Sequence, residues 1–511
     1  MMPHYTRTSA TVNQTLWVSL SDLTWKSEGS MVPSMYVIPV PLGKTHYLLF
    51  QGLTGAIDVI SKEDYLRLFC ASGGRQISGG TPRMVGGPTR LLPSDRALIE
   101  RGYFLTTDEE SLLVERLNGQ IAAEAAKEAM CFFLAPTNFC PVGCTYCIEA
   151  KSPKTAKRIS LDTEQVALAF DAMTKLMKEY SRDNGFILLF GGEPMQPYSF
   201  DTVRDILDQC RQTGLKIFCF TSGLSLQRFA PMLGSYLDVL LGVCVTLDGR
   251  PELHNGNRSL LRGFELASTG INLLLAHRVP TMVRTNVTRD SFTEISWLRT
   301  FYKKRGWWDN DLCSFEINIL TNHGNLPGQD AACPTHAELG SYFLDLVRDD
   351  PDYTKFRFLG IYSYLYYGAE RLGLIRFDKS ELGLHARVPR MYGCSSTGVF
   401  SFTLDADGSI RMCNEQVGSE DAPVGRYWPS FELERSKIQP WAQRTPDMIN
   451  MCRECNHRYF CGGGCSLRSM RELGTTGHHN PYSSLGKGIC GTLQADFQQF
   501  FGSVSAHILQ R

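Results

Sequence analysis

From residue 130 onward, short apolar runs alternate with longer stretches in which apolar side chains recur every three or four positions. The apolar runs cover 131–135, 186–190, 216–221, 239–246, 281–287 and 314–320. Between them lie amphipathic stretches at 163–180, 200–212, 226–236, 260–276 and 292–304. A run that stays apolar at successive positions belongs to a strand covered on both faces, and helices between such strands make the sheet parallel. Six such units predict an α/β fold that curls into a partial (β/α)6 barrel of TIM type. In such barrels the chemistry gathers at the carboxyl ends of the strands.

The chain on either side is less regular. Residues 1–33 are Ser- and Thr-rich without a period and are read as an N-terminal extension. Strands are expected at 35–38, 47–50 and 57–59, with a turn at 42–45. Helices are expected at 62–69 and 93–101, a Gly- and Pro-rich loop at 75–89, and an extended piece at 102–106. Residues 34–128 thus make a small α+β domain ahead of the barrel, which is taken as 129–325. A bridge follows over 326–392, with helical stretches at 337–347 and 361–372. From 393 to 511 the chain is dense in Cys, Gly and turns, a composition that leans on metal for stability.

Composition narrows the classes. Hydrophobic residues are 43% and charged residues 20% of the 511, an ordinary globular balance. Lys+Arg and Asp+Glu are both 52, which removes any global electrostatic pull toward nucleic acid. No apolar run is long enough to span a membrane, and the first 30 residues lack the apolar core of a signal peptide. A cytoplasmic protein is expected. Seventeen cysteines in such a protein point to metal rather than disulfides, and ten of them fall into two tight groups. Cys70, Cys210, Cys219 and Cys244 sit in apolar periodic segments and are read as core residues.

The first group is Cys140-Pro-Val-Gly-Cys144-Thr-Tyr-Cys147. Structural zinc takes four closed ligands, usually from CxxC pairs, and no fourth stands nearby. Three thiolates on one short loop suit three irons of a cubane, leaving one iron open. The CxxxCxxC spacing with an aromatic residue before the last Cys resembles the signature of the radical SAM superfamily. That resemblance implies a [4Fe–4S] cluster whose open iron chelates S-adenosylmethionine (SAM), and a 5′-deoxyadenosyl radical that abstracts a substrate hydrogen. It also implies cofactor contacts. Gly191-Gly192-Glu193-Pro194 is similar to the family's GGEP motif at the SAM amino group, where glycines admit backbone and a carboxylate accepts from an ammonium. Ser222 stands where an Asn near the ribose is common. Thr246-Leu247-Asp248-Gly249, followed by His254 and Arg258, resembles the stretch whose hydroxyl and Arg hold the SAM carboxylate or ribose. Val287 and Thr288 are expected at the adenine, as is Tyr146. The catalytic residues themselves stay unassigned. Glu316, within the sixth strand, can reach into the barrel, but a structural carboxylate is the favoured reading.

The second group is Cys394, Cys413, Cys452, Cys455, Cys461, Cys465 and Cys490. Its order resembles the SPASM domain of radical SAM maturases. Seven thiolates exceed one cluster, so two auxiliary clusters are implied, three [4Fe–4S] clusters in all. By resemblance Cys452, Cys455, Cys461 and Cys490 hold the outer one, and Cys394, Cys413 and Cys465 the inner one. The fourth inner position is left to substrate or to another donor such as Cys333. The glycines of Cys461-Gly-Gly-Gly-Cys465 let amides approach cluster sulfurs.

Radical SAM proteins with a full SPASM domain commonly modify peptides or proteins. The 34–128 segment is similar to the winged-helix leader-recognition elements of peptide maturases, which bind a leader as an added strand. Formylglycine-forming sulfatase maturases carry an Asp immediately after the GxxxxC cysteine, where this chain has Asn414, an amide that takes no proton. The expected function is therefore oxidative crosslinking, thioether or carbon–carbon, of a ribosomally synthesised precursor peptide with a leader, with an external electron donor of flavodoxin or ferredoxin type. A sulfatase maturase and an epimerase are the alternatives, and a non-catalytic iron–sulfur electron carrier the reading from another class.

Overall fold

The fold is taken from a computed structural model, which describes residues 31–70, 91–147, 149, 159–320, 332–359, 363–375, 389–473 and 489–510. The 75–89 loop and most of the N-terminal extension lie outside the described residues. The N-terminal strands are β1 (Val32–Pro33), β2 (Val37–Leu42), β3 (His46–Gln51), β4 (Ile57–Ser61) and β5 (Phe104–Leu105). β2, β3 and β4 form an antiparallel meander, and β1 pairs with β5. β2 begins and ends later than its apolar pattern suggests. It carries Pro39 and Pro41, which cannot donate to a ladder, and it lies accordingly at the sheet edge.

One long helix was not anticipated, Thr107–Ala126. Thr106 and Glu109 close a capping box at its start, and Asp108, Glu109 and Glu110 favour its N-terminal dipole. Its apolar stripe is narrow: Leu113, Leu117 and Ile121, one per turn, pack with Tyr36, Leu53, Met391 and Tyr459. Asn118 fixes the far side, donating to Asp447 at 2.7 Å and accepting from Tyr459 at 2.9 Å. This helix therefore ties the N-terminal domain to the cysteine-rich end of the chain.

All six expected barrel strands form: β6 (Met130–Leu134), β7 (Gly185–Leu189), β8 (Lys216–Thr221), β9 (Leu240–Thr246), β10 (Thr281–Val287) and β11 (Cys313–Ile319). They pair in parallel in chain order. Helices run between them; the stretch expected at 260–276 is Gly263–Ala276, preceded by a separate helix Pro251–Arg258. Alternate side chains (Ile187, Leu189, Ile217, Val243, Val245, Val283, Ile317) are buried under the helices. Their neighbours Leu188, Phe218, Phe220, Thr246, Arg284, Asn286 and Asn318 stay partly exposed on the inner face. Cys210, Cys219 and Cys244 are core residues as expected. Cys70 is not: it ends a π-helical turn, Leu66–Cys70, and is exposed, because the apolar stripe there is satisfied by Leu68 and Phe69.

The sheet is longer than the six units. β12 (Phe356–Leu359), in the bridge, adds in parallel to β11. On the other edge β13 (Ser401–Leu404) adds in parallel to β6, followed by antiparallel β14 (Ser409–Arg411), β15 (Gly425–Arg426) and β16 (Glu432–Leu433). Both open edges of the barrel are thus covered, and the cysteine-rich domain starts on the strand next to the first cysteine loop. The bridge helices are His336–Asp349 and Ser363–Arg371.

The C-terminal helix Ile489–Ser503 locks these parts together. Phe497 and Phe501 are fully buried against Phe50 of β3, with ring centroids 4.7 and 4.9 Å apart, and Phe497 also meets Phe460 at 5.7 Å. Phe497→Ala is expected to cost about 3–5 kcal/mol through the cavity it leaves. Urea denaturation followed by circular dichroism reads this, and a loss under about 1 kcal/mol would mean that the aromatic cluster is not what joins the domains. No helix among the described residues is long and apolar enough to cross a membrane.

Candidate functional site

The loop that leaves β6 carries Cys140, Cys144 and Cys147, all half-buried. It is pinned from across the barrel mouth. Gly143 N–H donates to the Arg258 carbonyl at 3.2 Å, Thr145 N–H to the Asn257 carbonyl at 2.9 Å, and the Ser259 hydroxyl to the Gly143 carbonyl at 3.0 Å. Burial pushes the Cys140 thiol well up, the nearby Glu193, Cys144 and Cys147 add to it, and the Val142 amide bonded to the sulfur partly offsets it. Burial likewise raises Cys144, partly offset by Arg258. Thiolates so desolvated need a cationic centre beside them. Three thiols on one short loop are the number that three irons of a cubane would take.

The Gly191-Gly192-Glu193-Pro194 turn packs directly on this loop. Gly191 and Gly192 have φ of 93° and 55°. A Cβ at Gly191 would stand 2.5 Å from the Ala135 Cβ, and one at Gly192 would stand 2.5 Å from the Phe139 carbonyl oxygen, so both positions demand glycine. Gly192 N–H donates to Glu149 at 2.8 Å, and Glu193 N–H to the Phe139 carbonyl at 2.9 Å. Glu149 is buried deeply enough that its carboxyl is raised to about 7. The buried Glu193 carboxylate accepts from the Thr221 hydroxyl and the Ser222 amide, both at 2.6 Å, and from Met195 N–H at 3.1 Å. Ser222 Oγ is buried with no hydrogen-bond partner among the described residues. An orphaned hydroxyl beside a glycine cradle is what a polar ligand would complete.

Around the other half of the mouth runs a buried network centred on Asp248, which is 0% exposed. Tyr146, from the cysteine loop, donates to Asp248 Oδ2 at 2.6 Å. Arg258 donates through Nε to the same oxygen at 3.0 Å and through Nη2 to the Tyr146 hydroxyl at 3.1 Å. Asn286 donates to Asp248 Oδ1 from its amide N–H and from Nδ2, each at 3.2 Å, and Asn318 donates to Asn286 at 2.8 Å. His254 Nδ1 accepts from Asp248 N–H at 3.2 Å, and burial lowers this imidazole to about 4, so it is neutral. Thr246 is partly exposed on the inner face, in register with Arg284. Val287 does not line that face. Its side chain is fully buried in the core, because side chains alternate along β10 and Asn286 takes the inner side. Glu316 pairs with Arg284 at 2.6 Å.

A family model described as "4Fe-4S single cluster domain" matches residues 130–266, the span of β6 to β9 and the first cysteine group. An uncharacterized protein of Archaeoglobus fulgidus is 30% identical over 115 residues, 20% of this chain and 26% of that one, so the match spans about a quarter of the relative's length. Native anSMEcpe with bound AdoMet and Cp18Cys peptide superposes with a TM-score of 0.51 at 16% identity, over 75% of this chain and 99% of that one. Streptococcus suis SuiB bound to precursor peptide SuiA aligns over 88% of this chain and 98% of that one, at 12% identity and a TM-score of 0.48. The fold is that of the anSMEcpe structure.

In the C-terminal cysteine-rich part, Gly462, Gly463 and Gly464 are all left-handed, with φ of 69°, 89° and 74°. Three such bends in succession fold the chain back so that a Cβ at Gly393 would strike the Gly464 carbonyl oxygen. Cys394 is thereby held near Cys465. Burial raises the Cys413 thiol, and the nearby Glu415, Cys394 and Cys465 add to the rise. On the other side of the turn, burial raises Cys455 to about 11, with Cys461 a contributor, and Cys455 N–H donates to the Cys452 carbonyl at 3.1 Å. Amides point at the sulfurs: His457 N–H at Cys455, Gly463 and Gly464 N–H at Cys461, Glu415 N–H at Cys413. Cys490 opens the helix Ile489–Ser503, its side chain outside the described residues. The Cys333 carbonyl accepts from Arg289 at 3.2 Å beyond the end of β10. Asp248, Asn286, Asn318 and Glu149 were not singled out from the sequence; only Asp248, within the Thr246–Gly249 stretch, stood next to a recognised motif.

Proposed function

We propose that this chain is a radical SAM peptide maturase that crosslinks a ribosomally synthesised precursor peptide oxidatively, through a thioether or carbon–carbon bond. The observation that carries the reading is the convergence of Cys140, Cys144 and Cys147 against the Gly191–Gly192 cradle, with the orphaned Ser222 hydroxyl beside it. When bound, a [4Fe–4S] cluster and SAM supply a 5′-deoxyadenosyl radical. Cys140, Cys144 and Cys147 would hold the cluster. Gly191, Gly192 and Glu193 would receive the methionine portion of SAM, and Ser222 and Thr246 its sugar side. Tyr146 and Arg258 fix the cysteine loop through Asp248. Val287 can contribute only backbone. Cys452, Cys455, Cys461 and Cys490 would hold an outer auxiliary cluster and Cys394, Cys413 and Cys465 an inner one, three [4Fe–4S] clusters in total.

The solved anSMEcpe structure has AdoMet and a peptide bound, which supports a peptide partner on this fold. β4 is the last strand of its meander with no further strand paired to it among the described residues, an edge to which an extended leader would add. A flavodoxin- or ferredoxin-type donor in the cytoplasm completes the reading. Asn414 in the turn after Cys413 speaks against formylglycine formation. Anaerobic co-expression with the precursor peptide encoded beside the gene, followed by mass spectrometry, tests the proposal. Loss of two hydrogens' mass per modification is expected, with 5′-deoxyadenosine formed in stoichiometric proportion. An unchanged peptide mass with 5′-deoxyadenosine formed would replace crosslinking by epimerisation. No 5′-deoxyadenosine under reducing conditions would leave an electron carrier.

A further inference from the structure

We propose that Arg284, held in place by Glu316, receives a carboxylate of the peptide substrate inside the barrel and so selects which part of the peptide meets the radical. The inference rests on the reading above that a peptide is modified there.

Arg284 lies on the inner face of β10, two residues before Asn286 of the mouth network. Its Nε donates to Glu316 of β11 at 2.6 Å, and the two residues are in register on neighbouring strands. Its guanidinium carbon stands 4.8 Å from the centre of the Phe220 ring on β8. One edge and one face of the guanidinium are thereby fixed. Nη1 and Nη2 donate to no protein group among the described residues. The Arg284 side chain is 21% exposed and that of Glu316 only 5%, so the open part of the pair is the cation.

Charge at this height is not balanced. On the other side of Glu316, Arg357 of β12 is in register with it and partly exposed. Residues in register on parallel strands share a sheet face, so two guanidiniums flank one carboxylate. Asp248 does not offset them, being committed to Arg258. From the side of β6 to β8, the partly exposed rings of Phe133, Phe190, Phe218 and Phe220 face the same space, Phe190 lying 6.1 Å from Phe133 and 6.3 Å from Phe220. Aromatic walls leave little room for water, and a guanidinium with uncommitted donors in such surroundings gains most from an anion. Two adjacent Nη donors match the two oxygens of a carboxylate. The glycine cradle proposed for the methionine portion of SAM follows β7, three strands from β10, which favours the peptide as the source. A peptide carries carboxylates on Asp, on Glu and at its C-terminus.

The test uses the reconstituted full-length chain and the synthetic precursor peptide encoded beside the gene. Variants of that peptide carry Asn or Gln in place of each Asp or Glu in turn, and one has an amidated C-terminus. Mass spectrometry follows the modification, and equilibrium binding gives the SAM affinity. One of these peptides is expected to lose at least roughly tenfold in kcat/KM, chiefly through KM. Arg284→Met should impose the same loss on the unaltered peptide, add little to it on that variant, and leave SAM affinity at the wild-type value. Arg284→Lys should recover part of the loss. The proposal is overturned if every altered peptide reacts as the parent does, or if the losses from Arg284→Met and from the peptide change multiply. A SAM affinity that falls in Arg284→Met, with no dependence on the peptide's acids, would assign the anion to SAM and overturn it too. The peptide series needs only the wild-type chain, so it decides the matter even where Arg284→Met does not fold. No modification of the parent peptide by the wild-type chain would instead remove the maturase reading beneath it.

Discussion

The Cys144→Ala chain is expected to fold, to keep its auxiliary iron and to form no 5′-deoxyadenosine above background. Cys144 sits in the middle of the three-thiol loop, and its removal leaves two thiols for three irons. The loop itself should persist, because it is held by backbone contacts from Gly143 and Thr145 to the carbonyls of Arg258 and Asn257 and not by the cysteine side chains. If the chain carries the three clusters proposed, total iron should fall by about a third. Chromatography of the nucleoside products and iron analysis read the two halves of this outcome. SAM cleavage at the wild-type rate in Cys144→Ala would remove the assignment of this loop. A steric companion separates ligand loss from cradle loss. Gly192→Val keeps every cysteine but sets a Cβ 2.5 Å from the Phe139 carbonyl oxygen at a left-handed φ of 55°. A backbone carbonyl cannot swing away as a flexible side-chain end can. The turn must lift off the cysteine loop, and SAM affinity should fall at least roughly tenfold, about 1.4 kcal/mol, with the iron content unchanged.

How much of this was legible beforehand depended on the kind of signal. The six barrel strands were readable because a strand buried on both faces is apolar at consecutive positions, and a helix must separate each parallel pair. The cysteine groups stood out because their close, repeated spacing is itself a local pattern. β12 and β13 were not, since four residues such as Phe356–Leu359 or Ser401–Leu404 are too short for any period to register; they are strands because the barrel edges β11 and β6 offer a ladder to pair with. The Thr107–Ala126 helix announced itself only by its capping box, its buried stripe being one side chain per turn. Cys70 and Val287 show the limit of position without direction: an apolar neighbourhood did not say that Cys70 would end exposed, nor the end of a strand which way Val287 would point. The Asp248 network was the largest omission. Its members come from the cysteine loop, the end of β9, the following helix, β10 and β11, and no local pattern joins residues so far apart in the chain.

That network yields the second large effect. Asp248→Ala is expected to destabilise the chain by about 3–5 kcal/mol and to loosen the cysteine loop at the same time. The carboxylate is the only anion paired with Arg258 among the described residues, and the two side chains are 0% and 6% exposed, so solvent cannot take its place. Its removal strands a buried guanidinium and also takes the acceptor from Tyr146 at 2.6 Å and from Asn286. Tyr146 lies between Cys144 and Cys147, so the loss is felt where the thiols must hold their spacing. This also revises the part given to Arg258. The fork that the motif suggests for a ligand carboxylate is committed through Nε to Asp248 and through Nη2 to Tyr146. Two of the Arg258 donors thus hold the loop. Asp248→Asn keeps the shape and an acceptor oxygen but not the charge, and should lose less stability than Asp248→Ala while still weakening Arg258. Urea denaturation gives the stabilities, and the cluster's paramagnetic resonance signal with and without SAM reports the loop. An Asp248→Ala chain within about 1 kcal/mol of wild type, with an unaltered SAM-dependent signal, would show that the cysteine loop is held without Asp248.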